Sequence, residues 1–424
     1  DNASGNDPSV MRLGNIAAGG TLSVVNDNGS ITQSSGTSLS VAGASSFGSA
    51  VFSGRSDITL NSASNNFVGV VSGSAHNIIL RDGVGGLVTG QVNTTGDFTV
   101  TSTAGDLTLG SSSVAGALTA SASANVDLGS ASVGSLVAQS DTGSVTQSGA
   151  LSAIGSVSVT ASNGNITLSN IANVFGGSVS LSAVDASVTS SRSIDLGTVL
   201  ATDEFTSITG VGGVSGGVTQ SGVVEVLGTA RFTAHTLPGQ TATLNGNNLF
   251  RGLLVFDAAN NGTWDSIAAT NAVSGGTSSV TLPASVGTVA LRVPNANVAI
   301  GGSSIGAGGL SVATGGNLSQ SGALTVAGAT QLNVTGQINL STSSNNFIGS
   351  VSVADQTGTG ASTGPIVIAD ANTLTLGSVA TSGALTLSAA TDLSLGATDA
   401  GTLTVSAGQN VIQSAPIDVA GAAL

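Results

Sequence analysis

The sequence predicts an all-β protein built as a parallel β-helix, or β-solenoid, with about 19 residues in each coil. Three observations support this fold class. Only 7% of the 424 residues are charged and 3% are aromatic, whereas 40% are hydrophobic and 62 are glycine. Short segments alternate an aliphatic residue with Thr or Ser, which is the pattern of a strand with one buried face. These segments recur at a nearly constant spacing, which is typical of repeat architectures.

The coil length is clearest in two distant stretches of the chain. In residues 107–147 the strand cores LTL, LTA, VDL, LVA and VTQ begin at positions 107, 118, 126, 136 and 145. In residues 374–413 the cores LTL, LTL, LSL, LTV and VIQ begin at positions 374, 385, 393, 403 and 411. Alternate cores are therefore separated by nearly the same distance in both stretches, which gives the coil length stated above. We expect their Leu, Val and Ile side chains to point inward and to stack on those of the neighbouring coils.

Many strands are expected to follow a turn that contains glycine and a polar residue, as in GDFTV at 96–100 and GNITL at 164–168. Glycine adopts positive φ without strain, and Asp or Asn can accept hydrogen bonds from nearby backbone groups. The acids at these positions are therefore interpreted as turn residues at strand entry and not as catalytic carboxylates. Examples are Asp57, Asp97, Asp106 and Asp392.

A longer repeat is superimposed on the coils. Gln-Ser steps mark its starts near residues 33, 147, 220, 320 and 413, and a Phe follows each of the first four by about thirty residues. Two of these Phe residues lie in one phrase, SNNFVG at 64–69 and SNNFIG at 344–349. We interpret the phrase as structural, with Phe in an internal aromatic stack and the Asn side chains forming a ladder in a turn. The predicted marker residues are Asn65, Asn66, Phe67, Phe175, Phe250, Asn345, Asn346 and Phe347.

The domain organisation expected from these repeats is one continuous solenoid over residues 1–424, with 231–300 as an irregular segment and a candidate position for a loop insertion. This segment contains the single tryptophan and three of the seven arginines of the chain. No polar cap is encoded near Asp1 or Leu424, and uncapped coils expose strand edges. The expected partners are therefore further coils of the same array or a second copy, joined end to end.

Two ligand hypotheses concern the stretch DAANNGTWD at 257–265. Its oxygen-bearing side chains partly match a calcium loop, although Ala259 and Ala268 occupy the third and twelfth positions, where an EF-type loop needs ligands. Alternatively, the tryptophan stacks on a sugar while a neighbouring amide bonds its hydroxyls. A third alternative is that the tryptophan packs on the solenoid. The candidate metal ligands are Asp257, Asn261 and Asp265, and the candidate carbohydrate-binding residues are Trp264 and Asn260.

Charge and composition argue against several other classes of function. The seven basic residues are scattered arginines against 21 acids, a net charge of −14, so nucleic acid is not an expected partner. No apolar run approaches the roughly 18 to 20 residues of a membrane span. Because no convergent set of acid, base and cation is visible, we expect no enzymatic activity and, calcium apart, no cofactor.

The run of Gly-Asp-aliphatic-Thr-aliphatic phrases, recurring once per coil, resembles the filamentous haemagglutinin-type exoproteins of Gram-negative bacteria and related large surface adhesins. The resemblance covers nearly the whole chain and implies a right-handed parallel β-helix. It also implies an extracellular structural or adhesive fibre segment, at the cell surface or in a biofilm matrix, with surface polysaccharide as a second expected partner. The alternative function is a polysaccharide-binding or polysaccharide-degrading β-helix protein. No catalytic residue carries over from the family.

Overall fold

The protein is described by a computed structural model that covers residues 9–49, 56–212 and 216–421. Within these ranges the chain forms strands, turns and bends and contains no helix, which confirms the all-β prediction. The strands pair in parallel with the strands one coil away. Leu107, Val126 and Val145, for example, lie opposite one another in three successive coils, at the spacing read from the sequence. The predicted β-solenoid and its coil length are therefore confirmed.

The chain forms two compact units, Asp1–Thr202 and Asp203–Leu424, and each is a parallel β-solenoid. The strands of the first unit are β1 (Met11–Leu13), β2 (Ile16–Ala18), β3 (Leu22–Asn26), β4 (Ile31–Gln33), β5 (Leu39–Val41), β6 (Ser45–Ser49), β7 (Ile58–Leu60), β8 (Asn66–Phe67), β9 (Val71–Ala75), β10 (Ile78–Asp82), β11 (Leu87–Thr94), β12 (Phe98–Ser102), β13 (Leu107–Thr108), β14 (Ser111–Ala122), β15 (Val126–Asp127), β16 (Ser130–Ser140), β17 (Val145–Thr146), β18 (Leu151–Ala153), β19 (Val157–Ala161), β20 (Ile166–Leu168), β21 (Val174–Phe175), β22 (Ser178–Ala183), β23 (Ala186–Ser190) and β24 (Ile194–Ala201).

The second unit continues the same pattern of short strands. Its strands are β25 (Phe205–Thr209), β26 (Gly217–Gln220), β27 (Val224–Val226), β28 (Ala230–His235), β29 (Gln240–Phe250), β30 (Leu254–Ala259), β31 (Trp264–Asn271), β32 (Thr277–Thr281), β33 (Ser285–Val293), β34 (Asn297–Ile300), β35 (Ser303–Thr314), β36 (Leu318–Gln320), β37 (Leu324–Val326), β38 (Thr330–Val334), β39 (Ile338–Leu340), β40 (Asn346–Phe347), β41 (Val351–Ala354), β42 (Ile366–Asp370), β43 (Leu374–Ala389), β44 (Leu393–Leu395), β45 (Thr398–Ala407), β46 (Val411–Gln413) and β47 (Ile417–Val419).

The core of each unit is a set of stacked apolar side chains contributed by successive coils. Parallel register places each inward side chain directly over its counterpart one coil earlier, and burial of one such side chain contributes about 1.5–3 kcal/mol. One stack in the first unit comprises Ile58, Ile78, Phe98, Leu118, Leu136, Val157 and Val179. One stack in the second unit comprises Val298, Leu318, Ile338, Ile366 and Leu385. All of these side chains are buried.

The segment 231–300 is built from paired strands, and two of its coils are long, as are coils elsewhere in the chain such as the one from Ile338 to Ile366. Ala230 lies opposite Leu254, and Leu254 in turn lies opposite Val280, so both of these coils are several residues longer than the coil between Val126 and Val145. The additional residues are accommodated in turns between strands. Two of these turns contain non-glycine residues with positive φ, which are Thr236 at 62°, Asn260 at 51° and Asn261 at 68°.

The polar residues at strand entry form ladders along the coils. The Asn77 backbone N–H and side-chain Nδ2 both donate to Asp57 Oδ1 at 3.0 Å. The backbone N–H of Asp97 then donates to Asn77 Oδ1 at 2.7 Å, and that of Ala117 donates to Asp97 Oδ1 at 2.8 Å. The same arrangement joins Asp106 to the next coil, where the Asn125 N–H donates to its Oδ1 at 2.9 Å. These acids therefore satisfy turn N–H groups that no strand pairing reaches.

Gly129 shows why glycine is needed where two coils approach closely. Its φ is +57°, and a Cβ at this position would lie 2.0 Å from the carbonyl oxygen of Gly110. Both the conformation and the contact exclude a larger residue without rearrangement. Separately, the described part of the chain contains no helix long and apolar enough to cross a membrane.

Candidate functional site

Trp264, the candidate sugar platform, lies in the core of the second unit. It is 1% exposed, and its ring contacts Phe256 edge-on with centroids 6.2 Å apart. The indole Nε1 donates a hydrogen bond to the carbonyl oxygen of Asp257 at 2.7 Å. Because neither ring face is open to solvent, the prediction that Trp264 stacks on a sugar is wrong. The third alternative, a packing role, fits Trp264 better, although the ring lies inside the solenoid and not on its outer surface.

The candidate calcium ligands are placed on two strands and the turn between them. Asp257 lies in β30, Asp265 lies in β31, and Asn261 lies in the intervening turn. The Asp257 carboxylate is already paired, since its Oδ2 accepts a hydrogen bond from Arg231 Nη1 at 2.6 Å. In the described ranges, no group of three or more His, Asp or Glu side chains is placed to hold a metal ion. The arrangement around Asp257 is thus that of a surface ion pair.

Asn260, the second candidate carbohydrate ligand, belongs to this same turn. Its Nδ2 is in hydrogen-bonding contact with the Nε2 atom of His235 on the preceding coil. Asn260 and Asn261 both adopt left-handed backbone conformations, which Asn tolerates better than most residues. The amide of Asn260 is therefore engaged with the protein itself, and the turn explains why two Asn residues occur in succession.

The first four Gln residues that mark the long repeat form reciprocal hydrogen bonds with buried Asn residues of the following coil, whereas the side chain of Gln413 donates to the carbonyl oxygen of Ala415. Gln147 Nε2 donates to Asn173 Oδ1 at 2.8 Å, and Asn173 Nδ2 donates back to Gln147 Oε1 at 2.8 Å. We call this arrangement a Gln–Asn pair. Three further pairs have the same two bonds, at 2.7 and 3.0 Å in Gln33–Asn65, 2.9 and 2.7 Å in Gln220–Asn248, and 2.8 and 2.9 Å in Gln320–Asn345.

The Asn of each pair also joins backbone groups of neighbouring coils. Asn173 Oδ1 accepts a second bond from the N–H of Leu151 at 2.9 Å, and its Nδ2 donates a second bond to the carbonyl oxygen of Leu168 at 3.1 Å. Asn65, Asn248 and Asn345 make the same two kinds of bond. All four Asn side chains are buried. Each buried amide is thus fully satisfied, as an interior polar group must be.

The Phe residues follow these Asn residues and are buried, as predicted, but their ring contacts differ. Phe67 contacts Phe47 edge-on at 6.2 Å, and Phe250 contacts Phe232 edge-on at 6.1 Å. In the part of the chain that the structure describes, Phe175 and Phe347 have no aromatic neighbour. The predicted aromatic stack is therefore wrong for those two residues, whose strand partners on the preceding coil are Ala153 and Val326.

The predicted ladder of Asn pairs also requires correction. Asn65 and Asn345, the first residues of the two pairs, are buried and bond to Gln, whereas Asn66 and Asn346 are only half-buried. The contact that replaces a like-with-like ladder is the Gln–Asn pair. Two of its members, Asn173 and Asn248, lie outside the SNNF phrase and are not among the predicted markers.

A third polar position caps the backbone N–H of the Phe. Asp82 Oδ2 accepts from Phe67 N–H at 2.7 Å, and Asp370 Oδ2 accepts from Phe347 N–H at 2.6 Å. In another repeat Asn271 Oδ1 accepts from Phe250 N–H at 3.0 Å. Burial raises the pKa of the Asp82 and Asp370 carboxyl groups, and the hydrogen bonds from backbone N–H groups partly oppose this rise.

Two shallow grooves on the outer surface are lined by small polar side chains. One, of about 300 Å³, lies in the first unit and is lined mainly by serines of β14 and β16 together with Gln91 and Asn93 of β11. The other, of about 280 Å³, lies in the second unit beside Gln220 and includes Thr243 and Asn245. The linings offer hydroxyl and amide groups without a charged side chain, a chemistry suited to weak contacts with neutral polar ligands.

Comparison with known proteins relates these structural pairs to a family repeat. The sequence model of one family, described as repeats of unknown function, matches residues 2–74, 115–182, 183–257, 286–354 and 383–424. Each of the first four matched segments contains one complete Gln–Asn pair, and the fifth contains Gln413. No curated protein and no solved structure matches the chain.

Proposed function

The chain belongs to the family Repeats of unknown function (DUF5649), and from this premise we propose that it is a segment of an extracellular structural or adhesive fibre. The observation that supports this proposal is the division between the interior and the surface of each repeat. The features that recur in every complete repeat, the Gln–Asn pair and the Phe, are buried or partly buried. A sequence that repeats its interior maintains the same core contacts from one repeat to the next.

The outer positions of the repeats vary, in contrast with the interior. The residue that directly follows the marker Phe is Val68, Gly176, Arg251 or Ile348 in the four repeats. Val68 is 67% exposed and Ile348 is 62% exposed. A constant scaffold with a changing surface suits a fibre that presents many weak contacts, in which binding strength arises from multivalency. We propose cell-surface or matrix polysaccharide as the material contacted, and the surface of a Gram-negative bacterium as the location.

Localisation in the native organism tests the proposal directly. Antibodies raised against the folded chain should label intact, unpermeabilised cells or the material between them, and the label should be lost in a deletion strain. Labelling only after permeabilisation would contradict an extracellular fibre. Electron microscopy of the labelled material should show filaments.

Binding measurements separate adhesion from catalysis. Surfaces coated with the folded chain should retain cells or neutral polysaccharides more strongly than surfaces coated with the heat-unfolded chain, since the latter has the same composition without the ordered surface. Incubation with acidic and neutral polysaccharides should release no shortened products. Sustained release of oligosaccharides would support the polysaccharide-degrading alternative instead.

A further inference from the structure

Two of the Phe-capping residues are carboxylic acids enclosed by the solenoid. Asp82 is 0% exposed and Asp370 is 4% exposed. Asp82 accepts from the N–H groups of Phe67 and Val84, at 2.7 and 2.8 Å. Asp370 accepts from Phe347 and Asn372, both at 2.6 Å. In each case both carboxylate oxygens accept one backbone bond, which is the arrangement of an ionised acceptor.

Among the described residues, no ion pair involves either carboxylate. The strands packed against β10 are β7, β9 and β12, and none of them contains a titratable residue. Arg81 precedes Asp82 in β10 and is half-buried, with its Nε enclosed and without a hydrogen-bond partner among the described residues, but alternation along the strand puts the two side chains on opposite faces. The strands packed against β42 are β39 and β43, which also lack titratable residues. Each ionised carboxylate is therefore stabilised by backbone dipoles, while its burial opposes the charge.

A third repeat shows how a neutral group fits the same position. Asn271 Oδ1 accepts from the N–H groups of Phe250 and Val273, at 3.0 and 3.3 Å. Its Nδ2 donates to the carbonyl oxygen of Phe250 at 2.8 Å and to Ser278 Oγ at 3.0 Å. The amide thus bonds both backbone groups of one Phe. An ionised carboxylate cannot make the second of these bonds because it has no proton to donate.

We infer that Asp82 in the first unit and Asp370 in the second stabilise their coils in response to acid. When its carboxyl group takes up a proton, each gains a hydrogen bond to the carbonyl oxygen of the Phe that it caps, Phe67 or Phe347. In the protonated carboxyl, Oδ2 keeps the bond from the Phe N–H, and Oδ1, which accepts from Val84 in one unit and from Asn372 in the other, carries the proton and donates to the Phe carbonyl as Asn271 Nδ2 does. The coils around Phe67 and Phe347 become harder to open as the pH falls, while the repeat that carries Asn271 does not change.

The direction of the effect follows from linkage. A carboxyl group whose pKa is raised on folding contributes stability that is fully present below its unfolded pKa and is lost as the pH rises through the folded pKa. The burial of Asp82 and Asp370 raises both pKa values, so acid strengthens these two positions. Most acid-sensitive carboxylates in proteins act in the opposite direction, because salt bridges lower their pKa.

The first experiment is a carbon-13 titration of the aspartate carboxyl groups in the full chain, with signals assigned by their absence in Asp82→Asn and Asp370→Asn. Both signals should titrate with midpoints above the ordinary value of 3.8. Midpoints at or below that value would overturn the inference. This measurement on the unsubstituted protein remains decisive even if one of the variants fails to fold.

The second experiment is amide hydrogen exchange at Phe67 and Phe347 in the full chain and in the two Asn variants. Protection of each Phe amide is expressed as a ratio to its protection in the matching Asn variant. As the pH falls through the titration, this ratio should rise about tenfold for each pH unit by which the carboxyl midpoint exceeds 3.8. Phe250 provides the internal control, and its protection ratio should not change. A ratio at Phe67 and Phe347 that is independent of pH would refute the acid response.

Discussion

Replacement of Asn173 by alanine is expected to be among the most damaging single changes in the first unit. The side chain is 0% exposed and makes four hydrogen bonds, two with Gln147 and one each with the backbone of Leu151 and Leu168. Alanine removes all four and leaves the buried Leu151 N–H without its acceptor, whereas the Leu168 carbonyl keeps its place in the ladder between β20 and β23.

The magnitude follows from the unpaired Leu151 N–H and from the lost side-chain hydrogen bonds. A buried polar group left without a partner costs about 1–3 kcal/mol and an ordinary hydrogen bond contributes about 1 kcal/mol, so Asn173→Ala should lower the free energy of unfolding by about 2–4 kcal/mol. Gln147→Ala removes two of the same bonds, but Gln147 is only half-buried and water can reach its surroundings. Its cost should be about 1 kcal/mol, the net value of an ordinary hydrogen bond.

Urea denaturation, followed by circular dichroism, measures the global effect, and hydrogen exchange at Leu151 measures local opening. Because solenoids often unfold in parts, the exchange data are needed to assign any loss to the coils around Asn173. The double variant with Gln147→Ala should show a coupling of about 1 kcal/mol. Equal costs for the two single variants, or a cost below about 1 kcal/mol for Asn173→Ala, would refute the role assigned to burial.

Three further outcomes are expected. Gly129→Ala should destabilise the protein by about 2–4 kcal/mol in the same denaturation assay, since it combines an unfavourable φ with a backbone clash. Gly275→Ala is the control, because Gly275 has φ +70° but nothing within 4 Å, and it should cost only about 1–2 kcal/mol. Trp264→Ala should cost about 3–5 kcal/mol and leave polysaccharide retention of the folded fraction unchanged, because the ring is buried. The Asp355 carboxyl should titrate below its ordinary pKa in carbon-13 spectra, because the Thr357 hydroxyl and nearby N–H groups donate hydrogen bonds to the carboxylate. Any stability that this carboxylate contributes should be lost as the pH falls through the lowered pKa.

The inward positions of the strands could be predicted from the sequence because a strand alternates its faces with a period of two. Leu118 and Leu136 are examples, since each begins a short aliphatic alternation and each is buried. The sugar-platform prediction for Trp264 is wrong although the sequence carries a signal against it. The acid Asp265 follows the ring, and if the acid faces solvent the preceding ring must face the core.

The Gln–Asn pairs could not be predicted because their spacing is not constant. The partners are 32 residues apart in Gln33–Asn65 and 25 apart in Gln320–Asn345, as the turns between the same strands differ in length. Sequence periodicity therefore located the Gln residues and the phrase around Asn65 without connecting them. The contact depends on which turns place two amides together inside the solenoid, and that placement requires coordinates.

The ladders at strand entry impose a direction on assembly. In each contact described above, the side-chain acceptor belongs to the earlier coil and the N–H donor to the later one, as in Asp57 to Asn77, Asn77 to Asp97 and Asp106 to Asn125. A coil that has already folded therefore presents these turn acceptors to the stretch of chain that forms the next coil. The buried side chains act in the opposite sense, since Asn173 and Asp82 accept from N–H groups of the preceding coil. The strand-entry ladders thus favour ordering from the amino-terminal side, in the same sense as ribosomal synthesis, whereas the buried Asn and Asp contacts close only after the later coil is in place.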